Sequence, residues 1–96
     1  MQIKVEQEKV IERKLDRSIR VVGGWTLKLL PTFVSGLPDR LIIMKGKTYF
    51  VELKTTGKRP RPDQVVVHKR LEKLGFTVVV IDSSAGIQEF VKRITL

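Results

Sequence analysis

Near the N-terminus, apolar residues recur at close to every fourth position, which predicts an amphipathic helix from about Ile3 to Val22 that ends at Gly23 and Gly24. A second helix is expected from Pro62, which suits a first helical turn, to about Leu74. A short last helix should follow a cap at Asp82, Ser83 or Ser84 and end at Val91 or Ile94.

Between these helices, β-branched and apolar runs bounded by turn residues predict four strands, at Trp25 to Leu30, Asp39 to Lys45, Thr48 to Thr55 and Thr77 to Ile81. The last run is almost purely apolar, so we expect a strand that is buried on both faces. Segments Pro31 to Pro38 and Thr56 to Arg61 are expected to be loops. The order α-β-β-β-α-β-α predicts a mixed α/β fold, in which the second helix crosses over and brings the last strand in parallel.

The second and third strands flank Gly46-Lys47, which predicts a hairpin turn. A turn centred on these two residues places Asp39 opposite Lys54. Because side chains alternate along a strand, Asp39, Glu52 and Lys54 then share one face. Asp39 and Glu52 become diagonal neighbours, about 7–8 Å apart.

Two carboxylates that are forced together repel each other, and a divalent cation removes the repulsion. Metal–oxygen bonds of about 2.0–2.6 Å allow both groups to reach one ion, and oxygen ligands favour Mg²⁺ or Mn²⁺. Lys54 would add a fixed positive charge and a proton donor or acceptor. No His/Cys cluster indicates zinc, and the lone His68 is expected to have a surface or structural role on the second helix.

Other interpretations of these residues are open. An aspartate after a proline is also typical of a turn or strand start, and Glu52 with Lys54 is typical of an exposed strand face. A purely structural ion cluster is a further alternative. Charged side chains in otherwise apolar central strands need partners, however, and this favours a functional site.

The chain contains nineteen Lys and Arg against ten Asp and Glu, which gives a formal net charge of +9. A polyanion relieves the resulting self-repulsion, so we expect a nucleic acid partner. A membrane surface and simple solubilisation are the competing explanations. The residues expected to contact DNA are Lys28, Arg40, Lys58, Arg59 and Arg61, the last three in the proline-stiffened loop that follows the third strand.

Ninety-six residues without cysteine predict one domain that spans residues 1–96, without disulfides or thiolate metal sites. So short a chain buries only roughly 60–70% of its unfolded surface, which makes a homodimer the default expectation. The N-terminus is too charged for a signal peptide and no apolar run approaches a membrane span. We therefore expect a cytoplasmic, non-secreted protein without a membrane partner.

Two segments, Gly36-Leu37-Pro38-Asp39 and Phe50-Val51-Glu52-Leu53-Lys54, resemble the PD…(D/E)xK signature of the restriction-endonuclease-like superfamily. The Gly-x-Pro-Asp form, Gln64 after a basic loop, and a glutamate in Glu8-Lys9-Val10-Ile11-Glu12 are similar to the VRR-NUC branch, the virus-type replication-repair nuclease domain. Gly23-Gly24 followed by Lys28 resembles the stand-alone phage and bacterial members. The resemblance covers nearly the whole chain.

The resemblance implies a restriction-endonuclease-like core, a mixed sheet flanked by helices, with the site at one end of the central hairpin. Asp39, Glu52 and Glu8 would hold one or two metal ions, and the carbonyl of Leu53 would add a ligand. Glu12 lies on the same helical face as Glu8 and is the alternative ligand, with Glu6 as a third choice.

The same resemblance implies catalysis of phosphodiester hydrolysis in DNA during replication or repair. Lys54 would position or activate the attacking water, and Gln64 would arrange the site from the start of the second helix. Stand-alone members suggest a dimer with two sites and a branched substrate such as a Holliday junction. The alternatives are a non-catalytic nucleic-acid-binding module on the same fold and a basic protein that binds an acidic partner or a membrane.

Overall fold

A computed structural model describes residues 4–32 and 34–96, and in these ranges the predicted order of elements is confirmed. Ile3, the predicted start of the first helix, and Phe33, in a predicted loop, lie outside the described residues. The elements are α1 (Glu8–Val21), β1 (Trp25–Lys28), β2 (Arg40–Met44), β3 (Lys47–Leu53), α2 (Pro62–Lys73), β4 (Thr77–Ile81) and α3 (Ser84–Ile94).

The first helix begins later than its apolar pattern predicts, because tertiary contacts hold the residues before it in an extended conformation. Thr56 donates its backbone N–H to the Glu6 carbonyl over 3.0 Å, and its Oγ1 accepts the Glu6 N–H over 2.9 Å. The Glu6 carboxylate accepts the backbone N–H of Ser84 at the start of α3 over 2.7 Å. Hydrogen bonds from Ser84 lower the pKa of Glu6 to about 2. The carboxylate of Glu6, the third choice of metal ligand, is thus hydrogen-bonded to the first residue of α3, next to the N-cap Ser83.

The four strands form one sheet in the order β1-β2-β3-β4. β2 pairs antiparallel with both β1 and β3, and β4 runs parallel to β3, as predicted from the crossover through α2. The expectation that β4 is buried on both faces is wrong. It is an edge strand of the described sheet, and Val80 is 43% exposed.

The hairpin turn lies one residue earlier than predicted. Lys45 and Gly46 have φ angles of 49° and 75°, and two successive positive φ values are what a type I′ turn requires. The register therefore pairs Arg40 with Val51 and Leu41 with Phe50. The shift moves each residue's partner by two positions, so the two faces of the hairpin keep the predicted residues while the opposite neighbours change.

Helices cover both faces of the sheet. On one face, α1 and α3 pack against the hairpin and β4 around a common core: Ile11, Leu15, Ile19, Ile42, Met44, Val51, Leu53, Ile81, Ile87, Phe90 and Ile94. On the other face, Gln64 of α2 bonds to Glu52, and Phe76 packs edge-on against Phe50. No helix in the described ranges is both long and apolar enough to span a bilayer.

The loop before β2 touches the start of α2 through Gly36. This glycine has a φ of +90°, and a Cβ there would lie 2.5 Å from the Asp63 carbonyl oxygen and 2.8 Å from its carbon. Ser35 Oγ adds a hydrogen bond of 2.8 Å to Asp63 Oδ2. The glycine thus lets the loop approach the α2 backbone closely, next to Gln64, and sets where α2 begins relative to the sheet.

We expect Gly36→Ala to reduce the free energy of unfolding by about 3 kcal/mol, because left-handed strain adds to a backbone clash. Gly75→Ala is the matched control, since Gly75 has a φ of +95° and a Cβ there meets nothing within 4 Å. It should cost about 1 kcal/mol. Urea unfolding of the two variants measures the difference. Equal losses would show that the close approach to Asp63 is unimportant for stability.

Candidate active site

The two predicted carboxylates meet at one end of the sheet. With the observed register, Asp39, which immediately precedes β2, comes directly opposite Glu52 of β3, and not diagonal to it as predicted. Asp39 Oδ2 accepts the backbone N–H of Leu53 over 2.7 Å, and its carbonyl accepts the N–H of Leu29 over 2.8 Å. Asp39 is therefore hydrogen-bonded to the last residue of β3 on one side and to the residue that follows β1 on the other.

Glu52 is 1% exposed, and its carboxylate is bonded on one side only. Oε2 accepts the Gln64 side-chain N–H over 2.8 Å and lies 3.3 Å from Lys54 Nζ. Oε1 has no hydrogen-bond partner in the described part of the chain. Burial, followed by the negative charge of Asp39, raises the pKa of Glu52 to about 7, although Lys54 and Gln64 act in the opposite direction.

Gln64, singled out by the family resemblance alone, is in the site. Its Oε1 accepts the backbone N–H of Arg61 over 2.8 Å, at the first turn of α2. This bond orients the amide so that its N–H groups face Glu52. The amide is therefore held at both ends, by the helix start and by the carboxylate.

Glu8 and Glu12, the two α1 glutamates expected as alternative metal ligands, have different surroundings in the structure. Glu8 lies at the helix start, where its N–H donates to Thr55 Oγ1 over 3.1 Å, and its pKa is raised by burial and by the negative charge of Asp39. Glu12, one turn further on, lies 2.5 Å from Arg40 Nη2. Of these two glutamates, Glu8 is thus the one whose pKa is affected by the charge of Asp39, whereas Glu12 is paired with Arg40.

Arg40 does not fit its predicted role as a DNA contact. Its side chain is 4% exposed and its guanidinium is paired with Glu12 and, over 3.3 Å, with Asp16. Arg40 lies on the α1 face of β2, where alternation puts it opposite to the face of Asp39. Lys28, whose side chain is 63% exposed and 4.0 Å from Glu12, is accessible at the end of β1.

The basic loop between β3 and α2 leaves the sheet next to the carboxylates. Lys58, Arg59 and Arg61 are all exposed. Arg61 makes an exposed ion pair of 3.3 Å with Asp63, which contributes little stability and leaves the guanidinium available. The loop is anchored at its start, since the Gly57 N–H donates to Asp82 Oδ2 over 3.1 Å. The predicted cationic surface therefore adjoins the site.

From the sequence, His68 was expected to have a surface or structural role, yet its side chain is buried beside the site. It is 7% exposed, and its Nε2 lies 4.0 Å from Glu52 Oε1. Burial lowers the pKa of the ring. The available signal was its spacing from Gln64, one helical turn away on the same face of α2.

Across residues 4–32 and 34–96, no three Asp, Glu or His side chains form a group that could hold a metal ion together. The carboxylates that the fold itself brings together are Asp39 and Glu52. Their oxygens and mutual repulsion suit a hard divalent cation. Glu8 lies outside this pair, with its side chain at the exposed start of α1.

The raised pKa of Glu52 predicts how pH affects the metal-free protein. Between pH 4.5 and about 7 the folded chain binds more protons at Glu52 than the unfolded chain does, so stability falls as pH rises through this window. The loss approaches about 1.4 kcal/mol per pH unit. Glu52→Gln should abolish this component, so urea unfolding in EDTA should show the variant gaining stability relative to wild type from pH 4.5 to 7. A constant difference would contradict the shift.

Two comparisons connect this geometry with known proteins. "Putative nuclease p44" of Acyrthosiphon pisum secondary endosymbiont phage 1 is 41% identical over 78 residues, which cover 80% of this chain and 84% of p44. A solved structure described as "VRR_NUC domain" superposes with a TM-score of 0.82 at 29% identity, over 88% of this chain and 94% of the other. No protein-family model matches the sequence.

The likeness in structure confirms the predicted fold class, a mixed sheet flanked by helices with a restriction-endonuclease-like core. The likeness to p44 extends over most of both chains, so it is not confined to a short motif. Together with the sequence pattern around Asp39, Glu52 and Lys54, these comparisons show that the chain belongs to the VRR-NUC family of nuclease domains.

Proposed function

We propose that this chain is a nuclease that hydrolyses phosphodiester bonds in DNA with the help of Mg²⁺ or Mn²⁺ held by Asp39 and Glu52. The observation that carries the proposal is that these two carboxylates lie opposite each other at the ends of neighbouring strands and that Glu52 is buried. Burial of a carboxylate beside another negative charge costs free energy, as the raised pKa of Glu52 records. A structural role alone would not favour such an arrangement.

The donor set fits a hard cation. Asp39 and Glu52 would supply carboxylate oxygens, and the carbonyl of Leu53 is a further oxygen at the same strand end. Glu8 would add a third carboxylate if its side chain turned toward Asp39, whose negative charge helps to raise the pKa of Glu8. When bound, the ion would lower the pKa of an attacking water and neutralise negative charge on the phosphate.

The side chains around this pair have separable tasks. Lys54, 12% exposed, places its ammonium group 3.3 Å from Glu52 Oε2. There it would orient the attacking water and stabilise negative charge that develops on the scissile phosphate. Gln64 would keep the Glu52 carboxylate in one orientation, since its own amide is fixed by Arg61.

DNA binding is assigned to the exposed loop residues Lys58, Arg59 and Arg61, with Lys28 at the end of β1. The loop emerges directly after the strand that carries Glu52, so its cations would contact phosphates that flank the scissile one. The net charge of +9 supports a polyanionic substrate. Arg40 is left out of this surface, since it is buried in ion pairs.

We further place the chain in a homodimer that acts on branched DNA, such as a Holliday junction, in replication or repair. A chain of this size gains burial from self-association. A two-fold dimer presents two equivalent sites, and paired sites suit paired cuts on a symmetric four-way junction.

Cleavage of labelled DNA tests the proposal. We expect cutting in Mg²⁺ or Mn²⁺, none in EDTA, and loss to background in Asp39→Asn and Glu52→Gln, while DNA binding persists. Glu89→Gln, which removes an exposed carboxylate on α3, is the matched control and should cut normally. Undiminished cutting by either site variant would remove the assignment. Binding without cutting by the wild type would establish the non-catalytic module.

The same assay with four-way, flap and linear duplex substrates tests substrate preference, and light scattering measures the oligomeric state. A dimer that cuts the four-way junction at paired positions is expected. A monomer that prefers flaps would contradict both the homodimer and the branched-junction assignment.

The loop makes a separate prediction. Replacement of Lys58, Arg59 and Arg61 by alanine should reduce the slope of log K against log salt for DNA binding by up to about 2.7, at about 0.9 per lost phosphate contact. The control replaces Lys69, Arg70 and Lys73, which are exposed on α2, and so removes the same charge elsewhere. It should leave the slope nearly unchanged. Equal slopes for both triple variants would show that the loop is outside the DNA footprint.

A further inference from the structure

We propose that His68 is a positioning residue of this site, and that its Nε2–H donates a hydrogen bond to Glu52 Oε1. The proposal deepens the proposed function and rests on it for its catalytic consequence. It provides a partner for Oε1, the Glu52 oxygen to which neither Gln64 nor Lys54 is bonded.

The first observation is a matched pair of unsatisfied atoms. Glu52 Oε1 and His68 Nε2 are the buried side-chain atoms of the described residues that have no hydrogen-bond partner, and they lie 4.0 Å apart. An unsatisfied buried polar atom costs about 1–3 kcal/mol. A side-chain adjustment of about 1 Å would bring the pair to hydrogen-bond distance. One bond would therefore satisfy both atoms.

The second observation is the placement of His68 on α2. Gln64 and His68 are one helical turn apart, and both buried side chains approach Glu52 from the same helix. Gln64 already donates to Oε2 over 2.8 Å. Donation from His68 to Oε1 would hold both oxygens from one rigid element, and so would fix the plane of the carboxylate.

The direction of the hydrogen bond follows from which of the two groups, the imidazole or the carboxylate, can donate a proton. A neutral imidazole carries one N–H and one lone pair. Glu52 would bind a metal ion as the ionised carboxylate, which can only accept. The Nε2–H tautomer is therefore the one that pairs with Glu52. Each carboxylate oxygen has two acceptor sites, so these bonds leave lone pairs that can face the Asp39 side.

The consequence is orientation of a metal-binding group. A carboxylate held at one oxygen can rotate about its last bond, whereas one held at both oxygens cannot. Groups that hold a metal ligand in this way typically account for about 10–100-fold in metal affinity or activity. His68 would thus act through Glu52, without itself touching DNA or the ion.

Three variants test the role in the full chain. We expect His68→Leu and His68→Asn to lower kcat about 10–100-fold and to raise the Mg²⁺ concentration for half-maximal rate, with KM for DNA unchanged. His68→Gln should recover most of the loss, because its terminal amide reaches about as far as Nε2. A packing role predicts the reverse order, with leucine active and glutamine impaired. That order would overturn the proposal. Thermal unfolding confirms that each compared variant is folded.

A measurement on the wild-type chain does not depend on cleavage. His68 is the single histidine, so its ring nitrogens can be assigned without ambiguity in long-range ¹H–¹⁵N spectra. At pH 8 we expect the Nε2–H tautomer, and the Nδ1–H tautomer would refute the hydrogen bond. Absence of metal-dependent cutting by the wild type would instead refute the proposed function, so the two failures are distinguishable.

Discussion

The arrangement of this molecule depends on a buried carboxylate that is kept beside another carboxylate. Glu52 is almost fully inaccessible and faces Asp39 across the hairpin, so its charge is opposed by both burial and repulsion. Donors fixed by other parts of the fold oppose these costs. Gln64 is held by the first turn of α2, and Lys54 follows Glu52 along the chain. The close approach at Gly36 places that helix start next to the sheet.

A second buried charge at the same end of the sheet shows a different solution. Arg40 points to the opposite face and is paired with two carboxylates of α1, Glu12 and Asp16. Its charge is matched by opposite charge and by hydrogen bonds, which is the usual condition for burying an ion. Glu52 has one cation and an unbonded oxygen. We interpret the satisfied cluster as structural, joining α1 to β2, and the incompletely satisfied carboxylate as functional.

The N-terminal segment links three parts of this end of the molecule. Glu6 is bonded to Thr56 after β3 and to Ser84 at the start of α3, and the Glu8 N–H is bonded to Thr55. These contacts begin α1 beside the end of β3. As a result, Glu8 lies in the exposed first turn, where the charge of Asp39 helps to raise its pKa, while Glu12 accepts a hydrogen bond from Arg40. One turn of helix, about 6 Å, thus separates two glutamates with different environments.

The sequence by itself determined the element order, the parallel last strand and the residues on each hairpin face. These follow from local periodicity and from chain connectivity. The two faces are the same for any position of a two-residue turn, because moving such a turn shifts every cross-strand partner by two residues. Tertiary structure decided the hairpin register, because the positive φ values fell on Lys45 and Gly46 and not on Gly46 and Lys47. It also decided that Arg40 is buried, that Glu8 and not Glu12 is near Asp39, and that His68 faces Glu52. Such facts depend on how separate elements pack, and a pattern along one chain does not contain the distances between its elements.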